Sequence, residues 1–194
     1  MLAINLNFIM GYAGIFSLAH AVFFGVGAYT AAWFAMHVSA SIFLAIPAAM
    51  LAAALLSLVL ALLALRVRGE YFVAASLGLQ VLAVTVFSEW KAFTGGLGGL
   101  IGIPPASLFG HDVTDPVQFL LLALCGLVPV MLVTTALLRT SFGRNLKAIR
   151  DSESASYAFG KNVAAIKTLS VAISAALAAI AGALYAFYIG FINV

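Results

Sequence analysis

Charged residues are scarce in this chain. Asp, Glu, Lys and Arg make up only 8% of its 194 residues, whereas 65% are hydrophobic, and the mean hydropathy is +1.19. A chain with so few charges cannot cover its apolar surface with polar groups when it folds in water. The composition therefore excludes an ordinary soluble protein and indicates an integral membrane protein.

Cysteine and the motifs of common enzymes are also missing. Cys125 is the single cysteine and lies within an apolar run, so the sequence predicts neither an internal disulfide nor a cysteine metal cluster. The glycine-rich run 94–102 lacks the Gly-Lys-Ser or Gly-Lys-Thr ending of a phosphate-binding loop, and no His-Glu-x-x-His or Gly-x-Ser-x-Gly motif occurs. We therefore expect no catalytic residue, no metal site and no cofactor bound by this chain.

Long apolar runs dominate what remains, and they predict membrane-crossing helices. At about 1.5 Å per residue, about 20 apolar residues span a bilayer core of about 30 Å. A short apolar segment covers residues 1–10, and the predicted helices cover 18–36, 41–65, 71–88, 117–138 and 168–188. The sequence thus predicts an all-α polytopic bundle of about five to six membrane segments, forming a single transmembrane domain over residues 1–194.

The first of these segments is broken. Gly11-Tyr-Ala-Gly14 interrupts the apolar run, and such breaks are tolerated in lipid only where protein or a watery cavity satisfies the freed backbone groups. Ser17 is a candidate cap for the next helix, and a neutral His20 satisfied by a neighbouring helix is an alternative to a functional one. The predicted solute pathway comprises Gly11, Tyr12, Gly14, Ser17 and His20.

The distribution of basic residues predicts the orientation. Counting helices places eight of the nine Lys and Arg residues on one side of the membrane and Lys91 alone on the other. By the positive-inside rule, the loop at about 140–167 is cytoplasmic and the Gly/Pro-rich loop at about 92–116 faces outward. Because the basic residues flank apolar segments in this way, the formal charge of +3 does not indicate nucleic-acid binding.

The cytoplasmic loop has a helical pattern. Phe142, Leu146 and Ile149 fall on one side of a helix, opposite a basic side. A second short helix is predicted from a cap at Asp151 or Ser152 to a stop at Gly160. Its members on one side are Ala155, Ala158 and Phe159, with Glu153 in the first turn. A basic loop that lies against anionic lipid remains an alternative.

Small residues recur every fourth position in the last predicted helix. This spacing places them on one helix face, where they allow a close approach of another helix. The seam predicts packing within the subunit or across a dimer, and it consists of Ser174, Ala178, Gly182, Ala186 and Gly190.

Three stretches together resemble a known family. The run 143–163, GRNLKAIRDSESASYAFGKNV, is similar to the cytoplasmic coupling loop of ABC importer permeases in its branched-chain amino acid version. Residues 7–31 are similar to the broken helix of that family. Leu65-Arg-Val-Arg-Gly-Glu-Tyr71, taken with the Gly/Pro-rich run 94–105, resembles the M-type subunit, here shortened at both ends.

The resemblance implies a transport function. The chain would be a permease subunit of an ATP-driven importer for branched-chain or other neutral aliphatic amino acids, multi-pass in a bacterial inner membrane. ATP would be hydrolysed on cytoplasmic ABC ATPase subunits, and the other partners would be membrane lipid, a second permease subunit in a heterodimer, and a periplasmic or lipid-anchored solute-binding protein. The implied ATPase-coupling residues are Gly143, Arg144, Leu146, Ile149, Arg150, Glu153, Ala155, Ala158, Phe159 and Gly160.

Two alternatives stay open at this point. A related ABC permease for urea or short amides shares these motifs. A passive channel whose basic loop only binds lipid would also fit the apolar helices.

Overall fold

The computed structural model describes residues 1–66, 70–108, 111–113 and 115–193. Helices account for most of this part of the chain, which confirms the predicted all-α class. Part of the stretch 65–71 that carries the family resemblance, residues 67–69, lies outside the described residues. So do residues 109–110 and 114 of the Gly/Pro-rich loop at about 92–116, which is called the outer loop below after its predicted orientation. The helices are α1 (Leu2–Leu6), which continues as a π-helix (Asn7–Tyr12), α2 (His20–His37), α3 (Ile42–Arg66), α4 (Glu70–Glu89), α5 (Lys91–Thr94), a 3-10 turn (Gly96–Gly98), α6 (Pro116–Arg139), α7 (Ser141–Asp151), α8 (Glu153–Ala158) and α9 (Val163–Ile189).

Four of the described helices are long and apolar enough to cross a membrane by length and composition. They are Ile42–Leu62, Tyr71–Glu89, Pro116–Arg139 and Val163–Ile189. The apolar helix Leu2–Tyr12 is shorter. α2 has 18 residues but carries two histidines and two glycines, which lower its apolar character. The multi-pass architecture predicted from the sequence is therefore present, with its first segment too short to cross on its own.

Two predicted helix starts are wrong. α2 begins at His20 rather than at residue 18, and Ser17 does not cap it, because no side chain caps this helix. Instead, the Leu18 N–H donates to the Ser76 hydroxyl at 3.1 Å. α9 begins at Val163 rather than at residue 168, because the Asn162 side chain accepts a hydrogen bond from the Ala165 N–H at 3.0 Å and caps the helix there.

α9 packs at the centre of the bundle against α2 and α3. Alanine and glycine dominate these contacts, and Ala175, Ala179 and Ala183 are completely buried. A Cβ atom at Gly182 would overlap the Phe24 carbonyl oxygen and lie 2.9 Å from the Ala28 nitrogen, both on α2. The helices therefore approach each other through their smallest residues, as is usual where lipid removes the hydrophobic driving force between helices.

The predicted small-residue seam is buried along most of its length. Ser174, Ala178, Gly182 and Ala186 are buried on α9. Gly190 lies beyond the helix, where it is the C-cap residue with a φ of 73°. The contacts of Gly182 with α2 place this face inside the subunit.

α4 and α6 are held more loosely. Only 11% of each apolar window is buried inside the chain, compared with 50% for α9. Their side chains therefore present wide apolar faces to the surroundings of the subunit.

The outer loop contains more regular structure than its Gly/Pro content predicts. It includes α5, the 3-10 turn and the strands β1 (Leu100–Ile101), β2 (Ser107–Leu108) and β3 (His111–Asp112). β1 pairs antiparallel with β4 (Phe191–Ile192), and β2 pairs antiparallel with β3. The β1–β4 pairing brings the end of α9 to this loop, opposite the end that follows α7 and α8.

The Gly182 contact generates a stability prediction. Gly182→Leu should lower the free energy of unfolding by about 1–3 kcal/mol, because the added side chain meets the α2 backbone, which cannot rotate away. The measurement is thermal unfolding of the detergent-purified protein. Gly78→Leu is the matched control, since Gly78 is also within a helix but has open space beside its Cα. Equal melting temperatures for the two variants would contradict the close approach.

Candidate functional site

α7 forms the first half of the site through an amphipathic pattern. Leu146 and Ile149 are 1% and 4% exposed, so the predicted apolar side of this helix packs on the bundle. Gly143 is buried at its start, where a Cβ atom would overlap the Leu138 carbonyl oxygen at the end of α6. The glycine lets the two helices turn sharply into each other.

α8 forms the second half, and both of its ends are defined by local hydrogen bonds. Ser152 is the cap residue, and its hydroxyl oxygen accepts from the Ala155 N–H at 3.3 Å. At the other end, the Gly160 N–H donates to the Tyr157 carbonyl at 3.0 Å and the Lys161 N–H donates to the Ser156 carbonyl at 3.1 Å. This is the Schellman motif, which needs a left-handed residue, and Gly160 has a φ of 69°.

An ion pair connects α8 to α9. Lys167 Nζ lies 2.8 Å from Glu153 Oε2, and the two side chains are 14% and 28% exposed. The half-buried position reduces screening by salt compared with a surface pair. α8 is therefore joined to the second turn of the central helix of the bundle.

The face of α8 that points away from the bundle is exposed and partly aromatic. Ala155 and Ala158 are exposed, Tyr157 is 48% exposed and Phe159 is 83% exposed. Ser156, on the other side, is buried. An exposed phenylalanine beside two alanines on a short, well-capped helix is a surface that can receive a protein partner.

α7 also contacts the broken first segment. Arg150 Nη1 donates to the Gly11 carbonyl oxygen at 2.6 Å. The Lys147 Nζ atom lies 5.0 Å from the centroid of the Tyr12 ring, within the range of a cation–π interaction. A Cβ atom at Gly14 would lie 2.5 Å from Arg150 Cγ. Three of the predicted pathway residues, Gly11, Tyr12 and Gly14, therefore lie against the loop that the sequence predicts to be cytoplasmic, and not deep between the helices.

Ser17 and His20, the other polar pathway residues, lie deeper in the bundle. Each is 6% exposed, and neither Ser17 Oγ nor His20 Nε2 has a hydrogen-bond partner among the described residues. They line a cavity of about 10 Å³ together with Ser174. Such a volume holds about one water molecule, whereas small-molecule sites measure about 300–1,000 Å³. In this conformation, an amino acid cannot occupy the space beside His20.

A larger cavity lies nearby, and no sequence pattern indicated it. It measures about 270 Å³ and lies between α2, α4 and α9. Every residue that lines it is uncharged, with Phe24, Phe87 and Tyr185 supplying aromatic walls and Gln80 a polar group. This cavity could accept a small neutral molecule.

A polar pair inside the bundle was also missed. Asn5 and Ser174 are each 1% exposed. The Asn5 Nδ2 group donates to the Ser174 carbonyl, and the Ser174 hydroxyl donates to Asn5 Oδ1 at 3.0 Å. An amide within an otherwise apolar run was the available signal, because a buried amide needs partners on another helix. The pair fixes the broken segment to α9.

Comparisons with known proteins assign the chain to a family. The family model described as "Branched-chain amino acid transport system / permease component" matches residues 1–194. The chain belongs to this permease family. No solved structure matches it significantly.

Curated members of the permease family are similar along the whole chain. The "High-affinity branched-chain amino acid transport system permease protein LivM" of Escherichia coli (strain K12) is 31% identical over 216 residues, which cover 100% of this chain and 51% of that protein. Its counterpart from Salmonella typhimurium (strain LT2) gives the same identity and coverage. A "Probable branched-chain amino acid transport permease protein LivM" of Methanocaldococcus jannaschii is 42% identical over 59 residues, 30% of this chain and 17% of that protein. The chain spans about half the length of the first two relatives.

Proposed function

We propose that this chain is a membrane-spanning permease subunit of an ATP-driven importer for branched-chain or other neutral aliphatic amino acids, in a bacterial inner membrane. Membership of the permease family and the names of its relatives support the solute class. The observation that carries the proposal is the helix pair α7–α8, which exposes Phe159 on one side and contacts the broken segment on the other. A passive channel has no need of such a pair.

In this proposal, α8 is the docking surface for a cytoplasmic ABC ATPase. Phe159 would insert into a pocket of the ATPase, and the small side chains of Ala155 and Ala158 would let the partner approach closely. The ion pair between Glu153 and Lys167 supports a rigid mounting, so that displacement of α8 also displaces α9. ATP is bound and hydrolysed on the partner, and this chain is not itself an enzyme.

The other partners follow from the exposed apolar faces. α4 and α6 bury little of their surface within the chain, which supports contact with membrane lipid and with a second permease subunit in a heterodimer. The outer loop with its two strand pairs is the side on which a periplasmic or lipid-anchored binding protein would deliver the solute. Switching between outward and inward access would then be a movement of packed helices.

Gly160 tests the docking surface. Gly160→Val should abolish co-purification of the ATPase while the protein still inserts into the membrane, because a β-branched residue is strained at a φ of 69°. Gly160→Asn is the matched control, since asparagine tolerates this left-handed conformation and no atom lies within 4 Å of the added Cβ. Unchanged co-purification and uptake with valine at position 160 would rule out this surface.

Ser17 tests the solute pathway. In a Cys125→Ser background, Ser17→Cys should be protected from a water-soluble thiol reagent in the conformation described here, since Ser17 is 6% exposed. Labelling should rise during ATP turnover, when the segment opens. Phe159→Cys should react in the isolated subunit and serves as a positive control, since Phe159 is 83% exposed. If Ser17→Cys stays unreactive in every nucleotide state, the segment is packed in the protein core in all of them and does not line the solute pathway.

The uncharged interior generates a selectivity prediction. Moving an ion into a membrane interior costs several kcal/mol even after relaxation, and the 270 Å³ cavity offers no formal countercharge. The free-energy cost is smaller for a zwitterion such as leucine, because helix ends supply N–H groups for its carboxylate and carbonyls for its ammonium. The complete transporter should therefore move leucine in preference to lysine or glutamate.

The assay for this prediction must exclude the substrate selection made by the binding protein. Uptake is compared for leucine, lysine and glutamate in reconstituted transporter carrying a variant that bypasses the binding protein. Equal rates for leucine and lysine would show that the uncharged lining does not set selectivity, and preferential uptake of urea or short amides would favour the related permease class.

A further inference from the structure

Arg150 joins two parts of the chain that are 139 positions apart in sequence. It lies at the end of α7, next to the buried Ile149, and its side chain is 44% exposed. Its guanidinium donates to the Gly11 carbonyl oxygen at 2.6 Å and so connects the loop to the broken segment. The side chain is therefore directed at the segment rather than at the exposed face of α8.

The contact lies at a helix end that needs a donor. Gly11 belongs to the last turn of the π-helix Asn7–Tyr12, and the final carbonyl groups of a helix lack partners within it. A cation is favoured at this end by the helix dipole. Asp151 Oδ1 accepts from Arg150 Nε and Nη2 at 3.1 and 3.0 Å, and these two bonds orient the guanidinium and leave Nη1 for Gly11.

Two further contacts surround the same bond. A Cβ atom at Gly14, where φ is 67°, would lie 2.5 Å from Arg150 Cγ, so the turn of the broken segment packs on the Arg150 stem. One turn earlier on α7, Lys147 lies over the Tyr12 ring. The end of the first segment is thus held by two cations of one helix and by direct packing.

We propose that Arg150 is a positioning residue that transmits displacement of α7 to the end of the broken segment, through its bond to the Gly11 carbonyl and its packing on Gly14. This inference deepens the proposed function and rests on it. It assigns to Arg150 a role different from ATPase binding, which belongs to α8. Loss of the guanidinium therefore uncouples ATP hydrolysis from solute movement without detaching the ATPase.

The functional test uses Arg150→Gln in the complete reconstituted transporter. ATPase co-purification should be retained, whereas solute uptake per ATP hydrolysed should fall by about tenfold or more, as expected for a lost charge-assisted hydrogen bond. Arg150→Lys keeps the charge but not the fork of donors, so it should recover part of the ratio. Arg139→Gln removes a guanidinium from the last turn of α6 and should leave the ratio unchanged.

Two results would overturn the inference. If Arg150→Gln loses the ATPase, Arg150 belongs to the docking surface. If it keeps both the ATPase and the wild-type ratio of uptake to hydrolysis, the bond transmits nothing. A wild-type complex that binds no ATPase and imports no solute would instead refute the proposed function.

A second measurement tests the contact without any transport. In a Cys125→Ser background, the pair Gly14→Cys and Arg150→Cys should form a disulfide under mild oxidation in membranes, because a Cβ atom at Gly14 would lie 3.2 Å from Arg150 Cβ, close to the separation that a disulfide needs. The product is detected by mass spectrometry of the linked peptides. Gly14→Cys with Ala148→Cys is the control, because residues two positions apart on a helix point in directions about 200° apart. Failure of the 14–150 pair to form, or equal yields for both pairs, would show that α7 does not hold the segment, whatever the protein transports.

Discussion

The close approach of α9 to α2 is the constraint on which the rest of the structure depends. Lipid provides no hydrophobic driving force between helices, so association relies on van der Waals contact and interhelical hydrogen bonds. Gly182 against the Phe24 carbonyl, and the buried alanines on either side, bring the two backbones together. The Asn5–Ser174 pair then adds the first segment to the same helix. The first segment and α8 are both joined to α9, the first by this pair and the second by the ion pair of Glu153 and Lys167.

The site combines a rigid mounting with a segment whose backbone is irregular. α7 and α8 have well-defined ends and are fixed by buried side chains and an ion pair. The first segment is short and ends in a π-helix and a left-handed glycine, and just after it Ser17 Oγ and His20 Nε2 have no hydrogen-bond partner in the described part of the chain. π-helical turns are frequent at functional sites, because they interrupt the regular hydrogen-bond ladder. The least satisfied part of the bundle is thus next to the loop that the proposed partner would move.

The sequence pattern predicted the elements whose bounds are set by neighbouring residues in the chain. α4 and α6 were placed to within one residue at each end, because uninterrupted apolar runs end at charged residues or at Pro116. The amphipathic α7 and the glycine stop of α8 followed from periodicity and capping chemistry. The start of α9 was misplaced because Lys167 suggested a loop, whereas its partner Glu153 lies 14 positions earlier. Nor could a local pattern reveal the β1–β4 pairing or the bond from Arg150 to Gly11, since both depend on the assembled bundle.

The central position of Gly182 has a mechanical consequence for α9. Lys167 lies 15 residues before this contact and Gly190 lies 8 residues after it, which at 1.5 Å per residue gives lever arms of about 22 and 12 Å. At the end of the longer arm the helix is joined to α8 by the ion pair of Lys167 and Glu153. Beyond the end of the shorter arm, β4 pairs with β1 of the outer loop. With Gly182 as the fulcrum, a tilt driven at the α8 end moves the opposite end the other way by about half the distance. α9 is thus a single continuous connection between α8 and the outer loop.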